Sequence, residues 1–376
     1  MGVETGRITY GDPPWCNGST EAFEAFSLGS NPGGGTAVIH PQSTTRIGNI
    51  VTGIHVNGAK HLVIASGRAH PALAEAVAKE LNTDLVAVTA YDFANSEIYI
   101  RYEESIRGSD VFIIQSITEP VNKWIMEALI MVDAAKRASA KRITMVFPSY
   151  PYARQDKKHK GREPISARLM ADLFYTAGAD RIMSVDLHAA QTQGFFNGPV
   201  DHLWAMPTLV EYVRGRIDPH NAVMVSPDAG RIKVAEQWAM RLGGIPLAFV
   251  HKTRDITRPN QAVANRVVGD VRGRNAIIVD DMIDTGGTIS GAVRVVLEAG
   301  AKDVIIAATH GIFSDPAPRL LAESGVREVV VTDTMPVAPQ KRFPQLTVLS
   351  IAPVIAKAIE EVFNDGSVTS LFDGAY

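Results

Sequence analysis

The chain has 376 residues, 46% of them hydrophobic, with a formal net charge of −3 at neutral pH. That length favours two domains over one or three, and the mild acidity argues against a general binder of nucleic acid, which is ordinarily basic. One cysteine, Cys16, leaves no internal disulfide framework and no cysteine-based zinc cage, as suits a reducing cytosol.

Residues 1–57 are rich in Gly, Pro, Ser, Asn and Thr and show little periodicity. They are expected to be a disordered or non-native N-terminal extension. Trp15 to Gly34 is also compatible with a reading frame through a transfer-RNA gene, which would put the start near Val51; the genomic DNA decides that point. From His61 onward short apolar strands alternate with amphipathic helices, the pattern of a mainly parallel sheet. Strands are predicted at His61–Ala65, Val111–Gln115, Ile143–Phe147 and Ile182–Asp186, then at Ala222–Ser226, Leu247–Val250, Ala276–Asp280, Val304–Thr309, Val329–Thr332 and Thr347–Ile351. Helices are predicted at Pro71–Leu81, Asn122–Ala138, Ile165–Ala177, Ile232–Leu242, Thr288–Ala299 and Val354–Phe363. No apolar run reaches the length of a bilayer span and the first residues carry no signal-peptide core, so a cytoplasmic globular protein with no membrane association is expected. The segments starting at Val111 and Ala276 share one strand–loop–helix–strand plan, as if one unit were used twice.

Ile278-Val-Asp-Asp-Met-Ile-Asp-Thr-Gly-Gly-Thr288 carries the most information. An apolar strand ends in adjacent carboxylates, Asp280 and Asp281, and turns through Asp284, Thr285, Gly286 and Gly287 into a helix at Thr288. Ligands of parallel sheets bind beyond the C-terminal strand ends. Two glycines let the backbone approach a phosphate and turn amides toward it, two threonines add hydroxyls, and the helix N-terminus supplies a favourable dipole. The carboxylates are acceptors for ribose hydroxyls. A lone Thr-Gly-Gly-Thr turn would signify only a capped helix; the paired acids at the strand end point to a ribose phosphate. The segment resembles the phosphoribosyl pyrophosphate-binding motif of type I phosphoribosyltransferases, a likeness that leaves the reaction open.

Four more segments stand in the order and spacing of ribose-phosphate pyrophosphokinases: Phe147-Pro-Ser-Tyr-Pro-Tyr-Ala-Arg-Gln-Asp156, Ser184-Val-Asp-Leu-His188, Ser226-Pro-Asp-Ala-Gly230 and His251-Lys-Thr-Arg254. The resemblance runs from about His61 to Phe372. It implies an α/β fold of two tandem phosphoribosyltransferase-type domains related as a pseudo-repeat, residues 58–206 on the ATP side and 207–376 on the ribose 5-phosphate side. The implied reaction moves the β,γ-pyrophosphoryl group of ATP to the C1 hydroxyl of ribose 5-phosphate, giving 5-phosphoribosyl 1-pyrophosphate and AMP for nucleotide, histidine and tryptophan biosynthesis.

Residue by residue, the resemblance places Arg154, Gln155 and Asp156 on ATP, a guanidinium suiting phosphate or stacking on adenine. It makes Asp228, Ala229, Gly230 and Arg231 a pyrophosphate loop, and His188 with Asp228 the holders of Mg²⁺, for which a hard carboxylate is the more natural ligand. Lys252 and Arg254 follow a strand and open a poorly patterned stretch to Asn265, the expected mobile catalytic loop; Arg254 is also expected near ribose 5-phosphate. Phe93-Ala-Asn-Ser-Glu97 resembles the adenine pocket, with Phe93 stacking on the base and Asn95, Ser96 and Glu97 around its edge. The family more often has Gly at the Ser96 position, which matters if that residue needs φ > 0; a plain β-hairpin is the competing reading. A neighbouring subunit completes this pocket in the family, which implies a homo-oligomer, a hexamer. Ser367-Val-Thr-Ser-Leu-Phe372 resembles part of a regulatory phosphate and nucleotide site, and reads equally as a polar tail.

Overall fold

Apolar strands that alternate with amphipathic helices bury both faces of the sheets they form, which favours parallel pairing through crossover helices. The structure is a computed structural model that describes residues 37–39, 60–254 and 262–372, with the backbone alone for 37–39, 252–254 and 262–265. In chain order the elements begin with β1 (Ala37–Ile39), β2 (Leu62–Ser66), α1 (Pro71–Glu80), β3 (Val88–Asp92), β4 (Ile98–Tyr102), β5 (Asp110–Ile114) and α2 (Val121–Arg137). There follow β6 (Arg142–Phe147), α3 (Ser166–Ala177), β7 (Arg181–Val185), β8 (Val200–Leu203) and α4 (Met206–Arg214). The remainder comprises β9 (Ala222–Ser226), α5 (Ile232–Arg241), β10 (Leu247–Arg254), β11 (Ala262–Val268), β12 (Asn275–Ile283) and α6 (Gly287–Glu298). It ends with β13 (Asp303–Gly311), α7 (Ala317–Ala322), β14 (Glu328–Thr332), β15 (Leu346–Leu349) and α8 (Ala352–Phe363).

Two sheets result. One is five-stranded in the order β2-β5-β6-β7-β8, all parallel. The other is seven-stranded in the order β11-β10-β9-β12-β13-β14-β15, parallel except for the β10–β11 pair. Small antiparallel pairings join β1, β3 and β4. The plan repeats from one sheet to the other. In the first copy β2 is followed by a loop, α1 and the β3–β4 hairpin, entered beside β2 through a parallel bridge of Leu85 to Ile64. In the second, β9 is followed by a loop, α5 and the β10–β11 hairpin, entered beside β9. The α/β pseudo-repeat expected from two similar segments thus extends to every major element.

Helices α1, α4, α5 and α8 lie in one shared core between the sheets, where Ile64, Phe112 and Met183 of the first join Ile277, Val279 and Ile305 of the second. The closing helix of each copy crosses over: α4 packs on β13, and α8 on β8 and α1. Helices α2 and α3 cover the outer face of the first sheet, and α6 and α7 that of the second. Five layers stack in this way, and the C-terminal strand ends of both sheets meet along one polar seam.

Several expectations need correction. Most of residues 1–57 lie outside the described residues, but Ala37–Ile39 form a strand paired with β3. Lys252 and Arg254 do not follow a strand; they lie in the extension of β10, which pairs with β11 from Ala262 onward, so strand pairing reaches into the stretch read as poorly patterned. β12 and β13 run three and two residues further than predicted, because Met282 and Ile283 still pair with His310 and Gly311. β8, α4, α7 and β11 are additions: Val200-Asp-His-Leu203 alternates too briefly to stand out, and α7 has only six residues. Val368–Phe372 is a turn of 3₁₀ helix with Val368 and Phe372 buried, so this segment is docked and not a loose tail. No helix among the described residues is long and apolar enough to cross a membrane.

Candidate active site

The Gly-Gly turn is built as its chemistry requires. Gly286 takes the left-handed conformation at φ 75° immediately before α6, and a Cβ there would stand 3.1 Å from the Ala317 backbone. A Cβ on Gly287 would meet nothing within 4 Å, so the first amides of α6 open onto free space. No side chain caps this helix and its first turn carries no acid. Unsatisfied amides and dipole together make an anion seat.

Beside it lies a cavity of about 290 Å³ lined by Arg154, His188, Asp228, Arg231, Asp280, Asp281, Asp284, Thr285, Gly286 and Thr288, with Met282, Ile283 and Ile289. Four separate stretches of sequence therefore converge on one cleft. Arg231 is its hub: Nε lies 3.2 Å from Asp280, a second nitrogen contacts Asp281, and the guanidinium is 3.2 Å from His188 Nδ1. His188 Nδ1 is also 2.6 Å from Asp281 Oδ2. Arg154 reaches across from the first copy to Asp284 at 2.7 Å. One oxygen of Asp228 accepts from the Gly230 amide at 2.9 Å and so shapes the turn through Ala229 into α5.

Burial sets the electrostatics. Desolvation, reinforced by the neighbouring Asp281 charge, pushes Asp280 up to about 8. Burial would raise Asp281 too, but His188 and Arg231 outweigh it and hold that carboxyl below the usual range. For Asp284, Ser314 and Arg154 likewise overcome desolvation and keep it ionised. One carboxyl of the adjacent pair thus carries the charge while the other is poised near neutrality.

Two sequence-predicted groupings come out differently. His188 is held by Asp281 and Arg231, although it and Asp228 line the same cavity. No three His, Cys, Asp or Glu side chains among the described residues converge as a metal cage. The cluster still suits Mg²⁺, which is ordinarily bound by one or two carboxylates together with water and substrate phosphates. Gln155 and Asp156 point to structure: Gln155 accepts from Ser166 Oγ at 2.5 Å, and buried Asp156 accepts from Gln191 at 2.8 Å. Gln155 nevertheless lines a second cavity of about 380 Å³, continuous with the first through Arg154, His188 and Asp284. The side chains of Lys252 and Arg254 lie outside the described residues.

Phe93–Glu97 is the turn of the β3–β4 hairpin, so the hairpin reading and the pocket reading describe one object. The turn is closed by Phe93 N to Glu97 O and Ser96 N to Phe93 O, both 2.8 Å, and Asn95 Oδ1 accepts from the Glu97 amide at 3.2 Å. Phe93 is 45% exposed, a large ring left for a ligand or partner. It lines a cavity of about 620 Å³ that shares no residue with the two cavities of the cleft. Ser96 does adopt positive φ, 71°. Ser96→Gly is therefore expected to raise stability by about 1 kcal/mol, read by chemical denaturation.

The seam also holds residues that sequence reasoning passed over. Asp186, at φ 38° just after β7, accepts from Thr309 Oγ1 at 2.5 Å and from the Ala205 amide at 3.2 Å. Its surroundings push it up to about 6, burial being the main cause. Buried His310 bridges Asp186 O and Thr334 Oγ1. A histidine ending an apolar strand was the available signal for the latter.

Comparison with known proteins agrees with this geometry. The profile of the N-terminal domain of ribose phosphate pyrophosphokinase matches residues 62–178, and that of the phosphoribosyl synthetase-associated domain matches residues 255–373. A ribose-phosphate pyrophosphokinase of Bifidobacterium longum is 66% identical over 316 residues, covering 84% of this chain and 93% of its own. One from Mycobacterium tuberculosis is 62% identical, covering 84% and 97%. The crystal structure of phosphoribosylpyrophosphate synthetase from Mycobacterium smegmatis superposes with a TM-score of 0.77 at 62% identity, covering 82% of this chain and all of that one. With identity of this order over nearly the whole length of these relatives, the chain belongs to the ribose-phosphate pyrophosphokinase family.

Proposed function

We propose that the chain transfers the β,γ-pyrophosphoryl group of ATP to the C1 hydroxyl of ribose 5-phosphate, forming 5-phosphoribosyl 1-pyrophosphate and AMP. The observation that carries this reading is the convergence of the Asp280–Thr288 loop, the Asp228–Arg231 loop, His188 and Arg154 on one cleft. The first copy, from β2 through α4, forms the ATP side and the second, from β9 onward, the ribose 5-phosphate side; the division expected between residues 206 and 207 falls inside α4.

The 5-phosphate sits on the free amides of the Gly286–Thr288 turn with the Thr285 and Thr288 hydroxyls, and Asp280 and Asp281 accept from the ribose hydroxyls. O1 of the sugar then attacks the β-phosphorus in line. A bond forms from O1 to that phosphorus as O1 releases its proton to water, the bond from the α,β-bridging oxygen to the β-phosphorus breaks, and AMP leaves with the electron pair. Ala229, Gly230 and Arg231 face the transferred group, while Arg154 and Gln155 meet the nucleotide. Asp228 and His188 would hold Mg²⁺, which would supply charge neutralisation. Lys252 and Arg254 bring positive charge to the oxygens that become more anionic in the transition state. Fixing both substrates in line accounts for much of the acceleration.

Phe93, Asn95, Ser96 and Glu97 receive adenine. Their cavity shares no residue with the cleft, which supports the reading that they serve the cleft of a neighbouring copy in a cytoplasmic homo-oligomer, a hexamer by resemblance. Incubating the protein with ATP, Mg²⁺ and ribose 5-phosphate is expected to yield AMP in step with sugar consumption. No AMP under these conditions, with release of pyrophosphate from phosphoribosyl pyrophosphate and a free base, would make it a phosphoribosyltransferase instead.

A further inference from the structure

The first copy retains the framework of the pyrophosphate loop but not its vacancy. The stretch from Gly67 to His70 links β2 to α1 as Pro227 to Arg231 links β9 to α5. In the second copy this loop faces the open cleft. In the first, the chain's own side chains fill the corresponding position. The Arg68 amide donates to Glu127 Oε1 at 2.7 Å and the Ala69 amide to Gln115 Oε1 at 3.2 Å, while Gln115 Nε2 donates to Glu127 Oε1 at 3.0 Å. Glu127, projecting from α2, is fully buried. Gly67 leaves the room: a Cβ there would stand 2.2 Å from Gln115 Oε1. A carboxylate from the fold thus occupies the amide seat that an external anion takes in the second copy.

This internal anion also orients a cation. Arg68 Nε donates to Glu127 Oε2 at 2.6 Å, and the far end of the same guanidinium donates to Asp92 Oδ1 at 2.7 Å. Lys123 Nζ takes the other Asp92 oxygen at 2.6 Å. Asp92 is the last residue of β3, immediately before Phe93. The two holds on it are unequal. Lys123 and Asp92 are each about one-third exposed, and a pair of that kind is weak and screened by solvent. Arg68 is only 12% exposed and its other edge is locked onto buried Glu127, so its fork reaches Asp92 in a fixed direction.

We propose that the chain Glu127–Arg68–Asp92–Lys123 fixes the Phe93–Glu97 turn in its ligand-ready position, so that these are positioning residues for the nucleotide and the vestigial loop of the first copy has become the anchor of the adenine hairpin. The inference rests on the reading of that turn as the adenine site. Without the anchor the hairpin samples other positions, and apparent affinity falls in proportion to the fraction of time the competent one is populated.

The test is steady-state AMP formation by the full chain carrying Asp92→Asn. KM for ATP is expected to rise about tenfold, with kcat at saturating ATP within about twofold and KM for ribose 5-phosphate unchanged. Glu127→Gln should shift the same parameter in the same direction. If that buried change prevents folding, Asp92→Asn, at a partly exposed site, still decides. Lys123→Met combined with Asp92→Asn should add little to Asp92→Asn alone, since both act on one tether. An unchanged KM for ATP in Asp92→Asn, alongside a raised one in Phe93→Ala, overturns the anchor while keeping the adenine site. An unchanged KM in Phe93→Ala removes the adenine site and the anchor with it. Equal rises in both KM values, or a fall confined to kcat, would mean a general structural role and also refute the proposal.

Discussion

Lys252→Ala is expected to lower turnover about a thousandfold while leaving ribose 5-phosphate affinity within a few-fold of the unaltered enzyme. On the proposed reading the acceptor's phosphate sits on backbone amides and threonines of a different loop, so a cation that meets the transferring group would have little to do with ground-state sugar binding. Its effect falls on the step in which charge moves onto the phosphoryl oxygens, and a positioned donor in such a step is worth about 3 to 4 kcal/mol. The backbone agrees with a specialised position. β10 and β11 pair from Phe249 to His251 and again from Thr253, with the register broken across Lys252. Single-turnover measurement of AMP formation, alongside equilibrium binding of ribose 5-phosphate, separates the two quantities. Equal turnover in variant and parent would remove Lys252 from the chemistry.

Asp280→Asn should move stability and function in opposite directions. With its folded-state value raised to about 8, Asp280 stays protonated in the native cleft at pH values where the unfolded chain has already released the proton. The native state then binds more protons than the unfolded one, so this group's contribution to stability falls as pH rises from about 4 toward 8. Asparagine has no proton to lose. The variant is expected to be the more stable of the two at pH 8, and the gap should close progressively toward pH 4. Asp281 does not blur the result, since it is held ionised throughout this range. His310, lowered by burial, is neutral in both folded and unfolded chains above about pH 7. Denaturant titrations across pH 5 to 8 give the slope. The same variant should raise KM for ribose 5-phosphate about tenfold, because the carboxyl can give up its proton and accept from the sugar hydroxyls with both oxygens, whereas the amide keeps its NH₂ donor. A variant less stable than the parent at pH 8 would contradict the assignment of the proton to Asp280.

These expectations share one design: charges are concentrated at the seam between the sheets and left incompletely balanced until substrates arrive. Arg231 neutralises part of the Asp280–Asp281 pair, and Arg154 sits on Asp284 from the other copy. A cleft with this much buried carboxylate costs stability, which functional sites commonly carry and the surrounding core offsets. Here that core is shared, because α4 and α8 each pack against the opposite copy.

What the sequence determined by itself was the local chemistry. The strand-end pair Asp280–Asp281 followed by Asp284-Thr-Gly-Gly-Thr288 specified a glycine turn into an uncapped helix start, because glycine conformation, amide direction and helix onset are all short-range consequences of residue type. The alternation of strand and helix likewise named a parallel sheet, and β9 was read to the residue. Tertiary structure alone decided which of these local sites meet. His188 lies 93 residues before Asp281 and 43 before Arg231, yet it contacts both, and no periodicity could have paired it with Asp281 in place of Asp228. The same holds for Glu127, an acidic residue on a helix that sequence would place in solvent. It is buried because the loop after β2 folds its amides and Arg68 around that carboxylate, a long-range pairing that compensates for the loss of water.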